Sequence, residues 1–346
     1  MKDATVTVVV PTFRRPELLI KCLNALMEQD FDRNRYEIVV VDDGVQEETR
    51  RLVERCAAAM TYSGCLPAAG ETAGSRTYTL DAAGSHPRLR YLEGGRSGPA
   101  AARNLGWKAA RGDIIAFTDD DCVPQSGWLA KGTASMGKGI AGAGGRVLVP
   151  IPDSPTDYEL DASGLERSRF VTANCFYRRS ALESVGGFDE NFRLAWREDS
   201  DLYFRLIKGG FGLVETPEAV VVHPTRTVRW GVSIRQQKKS QFNALLYKKH
   251  PDLYRQLQPS PPWHYYGIVL ALPMFATGLF TWNLPLAAIG FGLWLGLTLR
   301  FILRRLQNTR RTLAHVLEMA LTSLAIPPLS IYWRLRGALR YRVFFL

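Results

Sequence analysis

The amino-terminal two thirds of the sequence predicts an α/β fold with a mostly parallel sheet. Strand-like apolar runs alternate with segments whose apolar residues have helical spacing, and two of these runs end in consecutive acidic residues. A β-α-β-α order implies parallel strands joined by right-handed crossovers. Because open sheets of this kind bind ligands at the carboxyl ends of their strands, we expect the acidic residues to belong to a binding site.

The predicted elements follow one another in a regular order. β-rich runs predict strands at residues 6–10, 36–44, 88–95 and 113–121. Helical spacing predicts helices at residues 15–29, 47–60 and 98–110, and Pro16 suits the start of the first helix. Residues 62–86 are rich in Gly, Ala, Ser and Thr without a clear period, so we interpret them as a flexible surface insertion without chemistry.

Composition excludes several classes of protein. The 346 residues are 46% hydrophobic, which allows one large domain with an appendage and excludes a disordered chain. The net charge of +11 is uneven, because residues 263–346 hold nine Arg and one Glu, so a broad nucleic-acid-binding face is not expected. The five cysteines form no CxxC pair, which is typical of reduced thiols in a cytosolic domain.

The stretch IIAFTDDDCVP (residues 114–124) places three consecutive carboxylates at the end of an apolar run. A cation among them would offset their mutual repulsion, and carboxylate oxygens favour a hard metal such as Mg²⁺ or Mn²⁺. The alternative is a polar turn that caps the following helix. The triplet alone leaves both interpretations open.

The loop EGGRSGPAAARN (residues 93–104) has the character of an anion-binding segment. Its glycines allow a ligand to approach the backbone closely. The start of a helix and the side chains of Arg96 and Arg103 favour a negatively charged ligand. It is neither a GxGxxG fingerprint nor a P-loop. Together with Asp42 and Asp43 at a strand end and a metal-binding triplet, the loop suits a nucleotide diphosphate.

Seven motifs, in this order, resemble those of a family 2 glycosyltransferase of the GT-A fold. The matching segments cover about residues 5–250 and read VVVPTFRRPELL, VVVDDG, GPAAARNLG, AFTDDDCVP, NCFYRRSALESVGGFDENF, WREDSDLYFRL and AVVVHP. The resemblance implies that Asp43 contacts the nucleotide base with Asp42 beside it. It also implies a nucleotide pocket lined by Pro11, Thr12 and Arg14.

The resemblance extends to the acidic triplet. Asp119 and Asp121 match the ends of the DxD motif that bind ribose and metal, and Asp120 lies between them. His223 matches a position that can complete the metal shell in some members of the family. Alternatively, His223 is a histidine at a strand end beside Pro224, and the sequence does not decide between the two.

The chemical step is expected to centre on WREDSDLYFRL (residues 196–206). The family's ED motif maps to Glu198 and Asp199, so the resemblance implies that Asp199 is the general base and that one direct attack inverts the sugar's anomeric configuration. The alternative is that these acids merely begin a helix. Asn174, Asp201 and residues 186–192 are expected on the acceptor side. The QxxRW motif of processive polymerases is absent, which favours transfer of a single sugar.

The carboxyl-terminal sequence predicts a membrane attachment. No charged residue occurs between residues 256 and 299, and the stretch is too long for one membrane-spanning helix, so we predict a hairpin within residues 263–303 that turns near 281–285. Residues 304–311 return the chain to the cytoplasmic side. The following segment, 313–333, lies within a third region, residues 312–346, and is predicted as an interfacial or re-entrant helix. A buried helical hairpin in a soluble protein is the alternative.

These observations predict an integral enzyme of the cytoplasmic (inner) membrane with a catalytic domain at residues 1–255. The amino-terminal apolar run is too short for a signal peptide, so this domain is expected to face the cytosol. We expect it to use Mg²⁺ or Mn²⁺, a nucleotide-diphosphate sugar, and a glycan or polyprenyl-linked acceptor. Alternatives are a sugar-phosphate nucleotidyltransferase, which should carry an early Gly-rich motif, and a catalytically inactive membrane scaffold.

Overall fold

A nine-stranded mixed sheet forms the centre of the amino-terminal part of the protein. The computed structural model describes residues 5–61, 77–80 and 88–345. The strands in chain order are β1 Val6–Thr12, β2 Tyr36–Asp42, β3 Thr77–Leu80, β4 Arg88–Glu93, β5 Ile114–Phe117, β6 Val123–Pro124, β7 Ile140–Leu148, β8 Cys175–Arg178 and β9 Gly212–Val222. Their order across the sheet is β3-β4-β2-β1-β5-β8-β7-β9-β6.

The parallel half of the sheet confirms the predicted α/β fold. Strands β4, β2, β1 and β5 are mutually parallel neighbours, as the alternating sequence pattern predicts. Helices α1 Pro16–Met27, α2 Glu47–Thr61 and α3 Pro99–Ala109 connect them. Gly106 explains why α3 can lie close to the sheet, because a Cβ atom there would be 2.4 Å from a methyl carbon of Val9.

The other half of the sheet contains antiparallel pairs that the sequence pattern did not predict. Strand β8 lies antiparallel between β5 and β7, and β9 runs parallel to β7. Three helices complete this part, α4 Trp128–Ala134, α6 Arg179–Val185 and α7 Glu198–Lys208. The helix between α4 and α6 in the chain, α5 Asp157–Ser163, belongs to the second unit.

The predicted insertion at residues 62–86 requires a correction. Residues Thr77–Leu80 form strand β3, which pairs antiparallel with β4 at the edge of the sheet. A four-residue strand held by an already formed neighbour needs little sequence periodicity of its own. The rest of the predicted insertion lies outside the described residues.

Residues 151–164 and 225–346 form a second compact unit, which is helical. Its helices are α5 Asp157–Ser163, α8 Val232–Gln236, α9 Gln241–Lys249, α10 Pro251–Leu257, α11 Trp263–Phe280, α12 Leu284–Leu306 and α13 Leu313–Tyr341. Helices α11 and α12 form the predicted hairpin with a turn at residues 281–283. Gly278 and Gly290 allow close packing, since a Cβ atom at either would lie within 2.5 Å of the opposite backbone.

Two helices of this unit, α12 and α13, are long and apolar enough to cross a membrane. In α12 most of the apolar surface is exposed, and Phe280 and Trp282 at the hairpin turn are 89% and 88% exposed. Helix α13 is continuous through Pro327 and Pro328 and extends beyond the predicted end at residue 333. It buries one face within the unit, where Gly337 lies against the backbone of Gln241.

Candidate active site

The carboxyl ends of β1, β2 and β5 bring the predicted site residues to one edge of the sheet. Thr12 is in register with Asp42 on the neighbouring strand, and the acidic triplet begins two residues after the end of β5. Pro11 precedes Thr12 on β1. Arg14 has a left-handed backbone conformation (φ 57°) in the turn that follows, where its side chain lies beside Gly44.

Asp42 and Asp43 hold two different turns. Asp42 is fully buried and accepts hydrogen bonds from the backbone N–H groups of Gly44 and Gln46 and from the Tyr91 hydroxyl. Its contacts therefore shape the turn after β2.

Asp43 accepts hydrogen bonds from the backbone N–H groups of Ser97 and Gly98, at 3.0 and 2.9 Å. These bonds fix the loop before α3, on which the side chain of Arg96 is exposed. Gly94 is required there, because a Cβ atom would lie 2.7 Å from the Asp43 Cα. Asp43 thus joins the two segments that were predicted to hold the nucleotide.

The central carboxylate of the acidic triplet, Asp120, is held by residues around the end of β1. It is 3% exposed, accepts a 2.8 Å hydrogen bond from the Thr12 hydroxyl, and forms an ion pair with Arg15 at 3.2 Å. Burial raises the pKa of Asp120 to about 6, and the nearby Arg15 opposes that shift. Sequence reasoning missed Arg15, although its place directly after Arg14 was a signal.

Arg103 links the acidic triplet to the first turn of α7. One guanidinium nitrogen donates to Asp119 at 2.7 Å and the other to Glu198 at 3.0 Å. Arg103 is 2% exposed, so the guanidinium charge is almost wholly surrounded by protein. The sequence suggested Arg96 or Arg103 as the contact to the donor phosphates, and in the structure Arg103 binds two carboxylates.

Asp121 and His223 form the candidate metal centre. The Asp121 Oδ2 atom lies 3.5 Å from the His223 Nε2 atom, and the Cys122 sulfur belongs to the same cluster of possible ligand atoms. Burial raises the pKa of the Cys122 thiol, so it stays protonated and is a poor ligand for a hard cation. The Asp121 carboxylate suits a hard divalent cation, and the His223 imidazole beside it is of a kind that commonly binds metals.

The two carboxylates of the ED motif differ in their surroundings: Glu198 is bound to Arg103, whereas Asp199 is partly exposed. Glu198 is 3% exposed and is held by Arg103, and burial raises the pKa of Glu198 above its usual range although Arg103 opposes this. Asp199 is half-buried, and its Oδ1 atom accepts hydrogen bonds from Ser200. The Asp199 Oδ2 atom has no hydrogen-bond partner within the described residues and is available to a substrate hydroxyl.

Two residues expected on the acceptor side are instead part of the interior. Asn174 is fully buried and donates to the backbone carbonyls of Arg146 and Ala219 while accepting from the Trp128 indole N–H. Asp201 is also fully buried and forms an ion pair at 2.8 Å with Arg205. Both side chains stabilise the sheet and α7 by these bonds, so the acceptor expectation is not retained for them.

Comparison with known protein families agrees with this arrangement. The family model described as Glycosyl transferase family 2 matches residues 7–65 and 70–186, which is half of the chain and contains the DxD segment. The chain belongs to glycosyl transferase family 2. A second model, Glycosyl transferase family group 2, matches residues 156–334 and so includes the ED motif and the hairpin.

Individual relatives of this family 2 glycosyltransferase are distant. Glycosyltransferase AglE of Haloferax volcanii is 28% identical over 231 residues, which are 64% of this chain and 67% of AglE. The GalNAc(5)-diNAcBac-PP-undecaprenol beta-1,3-glucosyltransferase of Campylobacter jejuni is 25% identical over 216 residues, 58% of this chain. The match spans 59% of that relative's length.

A solved structure has the same fold as this family 2 glycosyltransferase. The mannosyltransferase PcManGT from Pyrobaculum calidifontis, solved in complex with GDP-Man and Mn²⁺, aligns with a TM-score of 0.53 at 19% identity. The alignment covers 99% of this chain and 88% of PcManGT. This likeness supports the fold, a mixed α/β sheet followed by apolar helices, whereas the glycosyltransferase activity follows from the family model.

Proposed function

We propose that this glycosyltransferase transfers one sugar, with inversion, from a nucleotide-diphosphate sugar to a lipid-linked or cell-surface glycan acceptor. The observation that carries the proposal is the Arg103 bridge, which brings the acidic triplet and the ED motif to one site. The GDP-Man bound by PcManGT and the undecaprenol-linked compound in the name of the Campylobacter relative support the two substrate classes.

Asp199 is the general base in this proposal. Its Oδ2 atom takes the proton of the acceptor hydroxyl as that oxygen attacks the anomeric carbon, while the bond to the diphosphate breaks. Ser200 holds the other carboxylate oxygen and so fixes the orientation of Asp199. Glu198 acts as a positioning residue, since its contact with Arg103 sets the first turn of α7.

Asp121 and His223 would hold the divalent cation, with Asp119 completing the DxD pattern. When bound, the cation neutralises charge on the leaving diphosphate. Asp43 and the loop that it fixes are proposed to bind the base and ribose, together with Thr12 and Asp120. Arg96 is exposed at this loop and is proposed to contact the phosphates.

The cation assignment predicts that Asp121→Asn weakens both Mn²⁺ binding and donor binding. Removing one charged oxygen ligand should cost about tenfold or more in affinity. Titration calorimetry with Mn²⁺ and a nucleoside diphosphate checks this, and Asp153→Asn, which removes an exposed carboxylate elsewhere, is the control. Full turnover of the wild-type enzyme in excess EDTA would contradict the assignment.

Membrane attachment by the α11–α12 hairpin is the second part of the proposal. Its support is the exposed apolar surface of α12 and of the hairpin turn, since soluble proteins rarely leave so large an apolar patch in water. Flanking arginines on the return segment favour a cytoplasmic catalytic domain.

This attachment predicts that the full-length chain stays in the membrane pellet after a carbonate or high-salt wash. Apolar burial resists both treatments, whereas an attachment by arginines alone would be screened by salt. Recovery of the chain in the supernatant would reject the spanning hairpin.

A further inference from the structure

A cavity of about 490 Å³ lies within the helical second unit. Residues of α5, α8, α11, α12 and α13 line it together with the loop at residues 225–230. The volume lies in the range of small-ligand sites. None of its lining residues belongs to the acidic triplet or the ED motif, so the active site described above leaves this cavity without a role.

The cavity lies at the polar ends of the hairpin helices. Tyr265 in the first turn of α11 and Phe301 and Arg305 in the last turns of α12 line it. Between these ends the hairpin carries no charged residue from position 263 to 299. If the hairpin spans the bilayer, the cavity is therefore at the depth of the lipid headgroups, where phosphate groups lie. Trp230 lines the same cavity and is 54% exposed, and tryptophan is a residue type enriched at membrane interfaces.

Three of the four acidic residues that line the cavity have hydrogen-bond partners within the unit, and the fourth, Asp161, lies near the positive charges of Lys239 and Arg305. Asp157 forms an ion pair with the buried Arg305 at 2.7 Å, and Arg305 also donates to the Thr322 and Ser323 hydroxyls. Glu159 forms a capping box with Thr156, and Glu318 accepts a 2.7 Å hydrogen bond from the Gly231 backbone. The carboxylates of Asp157, Glu159 and Glu318 thus hold the walls of the cavity.

Two arginines and one histidine that line the cavity retain hydrogen-bonding capacity. Arg229 and Arg310 are exposed lining residues whose guanidinium groups make no hydrogen bond within the described residues, although Arg310 lies near Glu159. His315 lines the same cavity and is only 4% exposed. Its buried Nε2 atom has no hydrogen-bond partner in the described part of the chain, which is costly unless a ligand supplies one.

We infer that this cavity binds the phosphate headgroup of a membrane lipid. A phosphate offers only acceptor oxygens at neutral pH, which match the donors of Arg229, Arg310 and the His315 ring. A lipid whose chain lies along the hairpin would place its phosphate at the level of the cavity. The inference rests on the proposed membrane attachment, and the lipid could be the polyprenyl phosphate part of the acceptor or a bulk phospholipid.

The test uses full-length protein in phosphatidylcholine nanodiscs that contain labelled polyprenyl phosphate, with EDTA present so that no cation bridges the probe to the active site. Arg310→Gln and Arg229→Gln should each weaken binding about tenfold, because each removes a charge-assisted hydrogen bond. Arg311→Gln is the matched control, since it removes the same charge from the next residue, which does not line the cavity. It should leave binding within about twofold of wild type, as expected for a screened surface charge.

Three outcomes bear on the inference. Weaker binding by Arg310→Gln and Arg229→Gln, but not by Arg311→Gln, supports the inference. Repeating the measurement with labelled phosphatidylglycerol then shows whether the site prefers the polyprenyl lipid. Equal losses in all three variants would overturn it, because they indicate general attraction to the surface. No loss in any variant would also overturn it. Nucleotide release from the donor without acceptor, measured with the cation restored, reports separately on the proposed enzymatic function.

Discussion

Asp199→Asn should slow sugar transfer by about a hundredfold or more while donor affinity stays near that of the wild type. Loss of a general base commonly has an effect of this size, because the acceptor hydroxyl must then attack without transferring its proton to the enzyme. Donor affinity is preserved because Asp199 forms hydrogen bonds only with Ser200 among the described residues and is not one of the two carboxylates that Arg103 binds. Single-turnover transfer rates and nucleotide-binding titrations measure the two effects separately.

The matched control for this variant is Ser200→Ala, which removes a hydroxyl bond to Asp199 but keeps the carboxylate. A loss of less than about tenfold is expected, since one side-chain hydrogen bond contributes about 1 kcal/mol. Normal transfer by Asp199→Asn would show that Asp199 is not the base. A large loss of donor affinity would instead move Asp199 to the donor side of the site.

Arg103→Met should lower the stability of the catalytic domain by about 3–5 kcal/mol, because removing one partner leaves a buried charge without compensation. Glu198 is the residue most affected, since it is 3% exposed and Arg103 holds one of its oxygens. We expect a clear fall in the Tm of the full-length protein in detergent, measured by circular dichroism. Activity should fall as well, because both the DxD segment and the first turn of α7 lose a fixed contact.

Two further variants show whether the effect comes from the buried charge. Arg96→Met removes an exposed arginine from the same loop and helix region and should change stability by less than about 0.5 kcal/mol. Adding Glu198→Gln to Arg103→Met should recover part of the lost stability, since it neutralises the carboxylate that was left buried. An unchanged Tm in Arg103→Met would contradict a structural role for the bridge.

The parallel half of the sheet could be predicted from the sequence because its strands are continuous apolar runs. VTVVV and YEIVVVD are buried along their whole lengths, so pattern and structure agree. The other half could not be predicted in the same way. IAGAGGRVL in β7 is rich in glycine and has little strand propensity, and CFYR in β8 is too short to show a period.

In the candidate site, too, residues of short motifs could be predicted from the sequence, whereas contacts between residues far apart in the chain could not. Asp119, Asp121 and Asp199 could be selected as candidates from the sequence because they belong to short motifs with a recognisable order. The contacts of Arg15 with Asp120 and of Arg103 with Glu198 join residues about one hundred positions apart, so they depend on the folded chain. Asn174 and Asp201 were placed on the acceptor side by neighbouring motif residues, which carry no information about the direction of a side chain.

Incubation of the full-length enzyme with a panel of nucleotide sugars, Mn²⁺ and a membrane lipid extract would show whether it transfers a sugar to a lipid-linked acceptor. We expect one nucleotide sugar to release its nucleoside diphosphate and the extract to increase the rate. The labelled sugar should appear in the lipid fraction with inverted anomeric configuration. Absence of nucleotide release from every donor, or labelled sugar in retained configuration, would contradict the proposed function.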